Sequence, residues 1–295
     1  TTNDCTVTYE IQAGRNRALS GYGWGTGAWD SANTWDTPNT SDSVTIGLRS
    51  WTLDNWGEDI IALDIDAGIY VWDTSGGIST ASNLASAISN APTKSKFTLV
   101  SNPDRHLICF GTETTIGTLA TQDPMFIRWS DQDDYTSWTA SATNSAGSQR
   151  VTGGSKIVTA VSTRGQILFL TDTSAHGMSF IGAPFTFGFQ KLGTNCGAVS
   201  PHCAVDISGM VYWMSSDGFY MFDGTVRKMP CTVEDFVFDN IDTTQLEQVY
   251  AASNSGFGEV IWLYCSTASN QIDRYVIFNY QENLWYTGSL DRSTW

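Results

Sequence analysis

The stretch that decides the fold of this 295-residue chain is "MVYWMSSDGFYMFDG", residues 210–224. Large apolar and aromatic side chains surround two Asp-Gly pairs in it, Asp217-Gly218 and Asp223-Gly224. Acidic residues on tight loops could serve a metal or a sugar, whereas Asp-Gly between apolar runs is typical of β-hairpin turns. A pattern that occurs once would favour a binding site, whereas a pattern that recurs along the chain would favour hairpin turns.

The pattern recurs. Residues 165–182 ("GQILFLTDTSAHGMSFIG"), 209–224 and 258–280 ("GEVIWLYCSTASNQIDRYVIFNY") each run from Gly through an aromatic strand and a polar turn into a second aromatic strand. The aspartates of 210–224 therefore fall where the other units turn. We interpret them as residues that tolerate a left-handed backbone or cap a hairpin, with Gly218 and Gly224 supplying positive φ.

Similar units are found along most of the chain. They begin near residues 42, 95, 155, 201 and 247, roughly 46 to 60 residues apart, close to the spacing of four-stranded propeller blades. Such a hairpin unit needs neighbours stacked on either side, and closing the stack into a ring protects the inner edges. The sequence predicts an all-β fold, a β-propeller with five or more antiparallel blades. A two-sheet sandwich or a pair of small β domains is the alternative.

Domain organisation follows from composition. Residues 1–41 are predicted to be an N-terminal strand and an extended Gly/Trp-rich arm, and 42–295 the β-propeller domain, as part of a longer chain. An aromatic-rich loop usually docks on something, so Trp24, Trp29 and Trp35 are predicted to form a subunit interface.

Finer predictions concern single segments. Strand-like runs are expected at 43–49, 59–65 and 68–73 in the first unit, and a short helix or turn-rich insertion at 233–248.

The charge balance disfavours nucleic-acid binding. Lys and Arg total 15 against 30 Asp and Glu, which gives a formal net charge of −15. Such a surface repels phosphate and would let DNA pass without tight binding, although the charge could equally serve solubility alone.

The six cysteines show no CxxC pair, which is the usual spacing of metal ligands. The sequence also has no run of 18 apolar residues that would span a membrane.

Three motifs invite a chemical interpretation. The segment "TDTSAHG" sets Asp172, Ser174 and His176 close together, but neighbours on one strand do not make a catalytic relay, and we expect a hairpin-turn histidine.

The second motif, "SDQDDY", contains Asp131, Asp133 and Asp134. A calcium loop of the EF-hand type needs Gly at its sixth position and Glu at its twelfth, where this sequence has Thr136 and Ala142. We therefore expect an acidic surface loop.

The third motif is "SSDGFYMF", which resembles the Ser-x-Asp-x-Gly-x-x-Trp box of propeller sialidases. Ser215 and Asp217 match that box, but Gly218 comes one position too early. We therefore expect no catalytic, cofactor-binding or metal-binding residues, and no enzyme activity.

Several segments are similar to tailed-bacteriophage virion proteins, in collinear order over roughly residues 20 to 295. They are 49–62 ("RSWTLDNWGEDIIA"), 68–73 ("GIYVWD"), 125–147 ("MFIRWSDQDDYTSWTASATNSAG"), 175–205 ("AHGMSFIGAPFTFGFQKLGTNCGAVSPHCAV") and 210–231 ("MVYWMSSDGFYMFDGTVRKMPC"). The chain resembles the tail tubular or nozzle proteins of short-tailed phages and related tail accessory proteins that stabilise packaged DNA.

The resemblance implies a structural role. Such a protein forms a homo-oligomeric ring, usually hexameric, below the portal and adaptor. It continues the DNA channel, contacts tail fibres, and belongs to the virion tail assembled in the bacterial host cytoplasm. An acidic wall along that channel is a further hypothesis. The alternative is a carbohydrate-binding or polysaccharide-degrading propeller.

Overall fold

A computed structural model describes residues 50–75, 77 and 84–291, and these residues form five four-stranded antiparallel sheets. Each sheet is called a blade. Blade 1 contains β1 (Trp51–Trp56), β2 (Asp59–Asp64), β3 (Ile69–Trp72) and β4 (Ser86–Ala87). Blade 2 contains β5 (Phe97–Ser101), β6 (His106–Phe110), β7 (Phe126–Trp129) and β8 (Gly147–Arg150). Blade 3 contains β9 (Ile157–Ser162), β10 (Ile167–Thr171), β11 (Ser174–Gly182) and β12 (Thr186–Thr194). Blade 4 contains β13 (Ala204–Ile207), β14 (Met210–Ser215), β15 (Gly218–Phe222) and β16 (Val226–Lys228). Blade 5 contains β17 (Tyr250–Asn254), β18 (Glu259–Tyr264), β19 (Arg274–Asn279) and β20 (Leu284–Ser289).

The sheets are arranged as a β-propeller. Strand order within each sheet follows the chain, and the first strands of successive blades contact one another in turn from β1 to β17. These five strands therefore surround the axis, and the fourth strands lie at the rim. The five repeat units predicted from the sequence are confirmed as five blades, and the sandwich alternative is wrong.

Aromatic side chains from neighbouring blades pack together in the core. The ring of Phe219 in blade 4 lies 4.9 Å from that of Trp262 and 4.8 Å from that of Trp285, both in blade 5. The indole N–H groups of Trp213 and Trp262 donate to the carbonyls of Cys196 (2.9 Å) and Cys203 (3.0 Å), so these buried donors are satisfied. The aromatic strands of the sequence thus form the contacts between blades.

The aspartates at the two turns of residues 210–224 accept hydrogen bonds from nearby residues. The carboxylate of Asp223 accepts from the backbone N–H of Thr225 (3.3 Å), and that of Asp217 accepts from the Tyr220 hydroxyl (3.0 Å). Gly218 and Gly224 have φ of 152° and 112°, as predicted. Positive φ occurs at the two glycines and not at the aspartates. The predicted capping role is observed for Asp223, whereas Asp217 accepts from the Tyr220 hydroxyl and not from a turn N–H.

The detailed predictions have mixed outcomes. The runs 59–65 and 68–73 correspond to β2 and β3, whereas 43–49 lies outside the described residues. Strand β1 (Trp51–Trp56) was missed, because it alternates exposed and half-buried residues and carries no continuous apolar run. The segment 233–248 contains helix α1 (Glu234–Asn240) and the 3₁₀ helix Leu246–Gln248, which confirms the predicted insertion.

One hairpin reaches beyond its own blade. Strands β11 and β12 are nine residues long, but β10 pairs with β11 only as far as Met178. The part of the β11–β12 hairpin beyond Met178 packs against blade 2, and the Thr186 hydroxyl donates to the Ser145 carbonyl there (3.0 Å). The Phe187 ring there lies 5.2 Å from His106 and 5.3 Å from Trp129. The hairpin thus fastens blade 3 to blade 2.

Trp262→Ala tests whether the blades depend on packing between them. It should lower the free energy of unfolding by about 3–5 kcal/mol, because it opens a cavity between blades and removes one of the two donors to the Cys203 carbonyl. Urea unfolding followed by circular dichroism measures the change. The control is Leu284→Ala at a half-exposed rim position, expected to stay within about 1 kcal/mol of wild type. Equal effects of the two variants would contradict the proposed core.

Candidate functional site

The axial end at which the innermost strands begin holds a small solvent-open cleft. Residues of several blades and of the segments between them line it. Its walls are apolar, and its polar groups come from different units of the fold; the lining consists of Ser50, Ile65, Lys96, Lys156, Ile157, Val158, Val199, Pro201 and Glu247. An apolar concavity with a few convergent polar groups is the usual form of a ligand site.

A network of polar contacts organises the cleft. The Lys96 ammonium lies 2.5 Å from the Asp66 carboxylate, and the side-chain amide of Gln122 donates to the same carboxylate (2.9 Å). Partial burial raises the pKa of Asp66, but the hydrogen bonds from Gln122 and Lys96 outweigh it and hold the pKa below its usual value. The Lys156 side chain is exposed, and with Glu247 and the Lys96–Asp66 pair it gives the cleft two cationic and two anionic groups.

A contact across the axis brings distant parts of the chain together. The Ser50 hydroxyl lies 2.8 Å from Nε2 of His202, which precedes blade 4, and the His202 ring packs 5.4 Å from that of Tyr250 in blade 5. Desolvation lowers the pKa of His202. The imidazole is therefore held neutral beside the cleft at pH 7.

The Ser174–His176 pair is a buried packing element. Ser174 Oγ lies 2.9 Å from His176 Nε2 and 3.0 Å from Thr171 Oγ1, and it also contacts the Gly153 carbonyl. The Ser174 side chain is only 1% exposed, and the His176 ring stacks on Phe169 at 5.0 Å with 9° between the planes. Desolvation lowers the pKa of His176. The hydroxyl has no open route to a substrate.

Asp172 does not join that pair. Its carboxylate accepts from the backbone N–H (2.8 Å) and the hydroxyl (2.5 Å) of Ser155. The three residues of "TDTSAHG" therefore do not form a relay. The expectation of a hairpin-turn histidine is wrong in one respect, since His176 lies within strand β11.

The three aspartates of the 130–135 loop each bind a different partner. Asp131 accepts from the Ser145 backbone N–H (2.8 Å), Asp133 pairs with Nε of Arg105 (2.6 Å), and Asp134 accepts from the Thr136 backbone N–H (2.8 Å). Within the described ranges no group of three or more His, Cys, Asp or Glu is placed to hold a metal ion. The loop is built by these local hydrogen bonds.

The remaining predicted positions are as follows. Ser215 of the sialidase-like box is buried in β14, and the Asp217 carboxylate in the following turn accepts from the Tyr220 hydroxyl. Trp24, Trp29 and Trp35 lie outside the described residues, as does the whole of segment 1–41, so their interface stays a prediction.

The described cysteines are free thiols. Burial raises the pKa of Cys109 to about 12 and that of Cys203 to about 11. Both thiols stay protonated at neutral pH and behave as small apolar side chains.

Sequence reasoning missed two buried charged residues, Glu113 and Arg128. The Arg128 guanidinium donates to the carbonyl of Thr114 (2.8 Å), and the fully buried Glu113 carboxylate accepts from the Gly117 backbone N–H (2.8 Å) and from the Thr93 hydroxyl (2.5 Å). These contacts hold the long β6–β7 loop against the start of blade 2. Nothing in the local pattern marks them, because the partners are up to 20 residues apart.

No family model and no curated protein matches this sequence. Similar solved structures include the "AfRom2 CNH domain" (TM-score 0.46, 10% identity, 82% of this chain and 72% of that one) and BamB from Moraxella catarrhalis (0.44, 9%, 82% and 65%). The computationally designed Ika8 protein is also similar (TM-score 0.46, 9% identity, 81% of this chain and 60% of that one). The chain spans less than two thirds of the length of BamB and of the designed protein. These relatives are β-propeller proteins, and the likeness concerns the fold alone.

No helix in the described part of the chain is both long and apolar enough to cross a membrane.

The buried histidines make stability depend on pH. Burial lowers the pKa of His176 in the folded state. Below about pH 6.5 the His176 imidazole therefore becomes protonated in the unfolded chain while it stays neutral in the folded chain. His176 thus destabilises the fold increasingly as pH falls from about 6.5 toward the lowered pKa. His176→Gln should lose less free energy of unfolding than wild type between pH 7.5 and pH 5.5 in urea titrations.

The matched control is Gln149→Ala at an exposed position of β8, which should keep the wild-type slope. Identical pH slopes for all three proteins would show that the neutral state of His176 contributes nothing.

Proposed function

We propose that the chain is a structural component of a bacteriophage virion, a tail nozzle or tail tube protein. In this proposal it forms a ring that continues the DNA channel and contacts the adaptor and the tail fibres. The resemblance of residues 20–295 to short-tailed phage tail proteins motivates the proposal, and the five-bladed fold is compatible with a rigid building block.

The observation that carries the proposal is where the chemistry-bearing side chains lie. Ser174 is buried, and Asp131, Asp172 and Asp223 bind backbone N–H groups of nearby loops. Carboxylates that cap turns stiffen loops and leave fewer acceptors for a substrate. The residues that first suggested catalysis thus contribute to rigidity, which a channel component requires.

The acidic balance has a role in this proposal. A formal charge of −15 per chain repels DNA phosphates, so a ring of such chains would let DNA slide without sticking. The bore in question is the space enclosed by several chains and not the axis of one propeller. We expect its mapped potential to be negative.

A carbohydrate-binding propeller is the second candidate, and the axial cleft favours it. The cleft places apolar side chains such as Ile157 beside polar groups such as Ser50 and Glu247, and such a surface suits the apolar face and the hydroxyls of a sugar ring. Saturable binding of host polysaccharide in titration calorimetry, or its hydrolysis by the isolated chain, would favour this role over the first.

The ring is tested by native mass measurement and negative-stain electron microscopy. The expected particle is a symmetric ring of six chains of 32.2 kDa each. Deleting residues 18–38 should leave a folded monomer without rings, because the deletion removes the three tryptophans predicted to form the interface. Circular dichroism and the melting temperature establish that the variant is folded.

Three outcomes are distinguishable. A monomer at every concentration tested would contradict the ring. An unchanged ring after the deletion would contradict the arm as interface and leave the ring intact. Loss of the ring with retention of the fold supports both.

A further inference from the structure

The end of the long β11–β12 hairpin exposes a compact apolar surface. We call residues 179–188 the hairpin tip; beyond Met178 its two strands pair only with each other. Phe185 is 72% exposed, Ile181 57% and Phe180 40%, although all three are large apolar side chains. Exposed single residues need no explanation, but three at one projecting point indicate a contact surface.

The hairpin tip is held rigidly. Phe187 is buried between His106 and Trp129 of blade 2, and the Thr186 hydroxyl binds the Ser145 carbonyl. The exposed side chains are therefore presented in a fixed position, and little ordering of the loop would oppose binding.

Carboxylates border this apolar surface. Ser145, whose carbonyl accepts from Thr186 of the hairpin tip, donates its backbone N–H to the Asp131 carboxylate (2.8 Å). The Phe180 ring lies 5.9 Å from that of His106, which also has Asp104 and Asp133 in its electrostatic surroundings. Arg105 pairs with Asp133, whose side chain is exposed. The border is thus acidic, with more carboxylates than cations among the residues just named.

We propose that the hairpin tip docks a partner protein whose apolar surface is flanked by Lys or Arg. Charge complementarity selects this partner. An anionic membrane surface would be repelled by the border and by the chain as a whole. A second copy is disfavoured too, because this chain has twice as many acidic as basic residues. The proposal goes beyond the virion role and does not depend on it.

The test uses two fluorescein-labelled amphipathic helical peptides with leucines at the same positions. The remaining positions are lysine in one, the Leu/Lys peptide, and glutamate in the other, the Leu/Glu peptide. Fluorescence anisotropy should show that wild type binds the Leu/Lys peptide and not the Leu/Glu peptide. Ile181→Ser/Phe185→Ser should bind the Leu/Lys peptide at least tenfold more weakly. Asp133→Asn should bind it severalfold more weakly, and Asn is tolerated at the positive φ of this position.

The matched control is Phe257→Ser, which removes an equally exposed phenylalanine from the β17–β18 turn of blade 5. It should bind the Leu/Lys peptide like wild type, and melting curves establish that every variant is folded. Equal binding by wild type and Ile181→Ser/Phe185→Ser would mean that net charge alone attracts the peptide, and no binding by wild type would also overturn the proposal.

Two further measurements address the other occupants. Tip-dependent binding to phosphatidylcholine vesicles would replace the protein partner by a membrane. Concentration-dependent association that Ile181→Ser/Phe185→Ser abolishes would replace it by a second copy. Either result overturns the proposal, and neither bears on whether the arm forms a ring.

Discussion

Packing of aromatic side chains between neighbouring blades is the interaction on which the rest of this structure depends. A four-stranded sheet has two faces, and an isolated sheet of this size would leave both in water. Phe219 between Trp262 and Trp285 shows the solution, since one ring of blade 4 contacts two of blade 5. The high aromatic content of the chain follows from this need, because five blades require several such interfaces.

The same constraint explains how far the sequence was informative. Repeat spacing, the Gly-led hairpins and the turn chemistry at Asp223 and Gly224 are local, and they predicted the five blades. Strand β1 was missed because only one of its residues, Trp56, is buried and its pattern is weak. The Ser174–His176 contact was visible as a motif, but burial and stacking on Phe169 decide its role, and both depend on distant residues.

The candidate site could not be predicted at all. Lys96, Lys156 and Glu247 meet at the cleft because three different blades or connections converge on one axis. Glu113 and Arg128 are likewise joined only by the path of a long loop. Convergence of this kind is a property of the closed arrangement, and no periodicity within a single unit reports it.

Polar chemistry in this propeller is thus divided between rigidity and recognition. Buried or capping groups such as Ser174, Asp131 and Asp172 stiffen loops, while the exposed features lie at the cleft and at the hairpin tip. Under the proposed virion role, the stiffened loops belong to the scaffold and the exposed features are the surfaces left for partners.

The central claim is that the five blades form one mutually dependent scaffold, and native-state hydrogen exchange with mass spectrometry tests it most directly. If packing between blades holds each blade in place, peptides from β2, β6, β10, β14 and β18 should share a single high protection that falls together as urea is added. If the blades are independent units, peptides from different blades will lose protection at different urea concentrations, and the account would be contradicted.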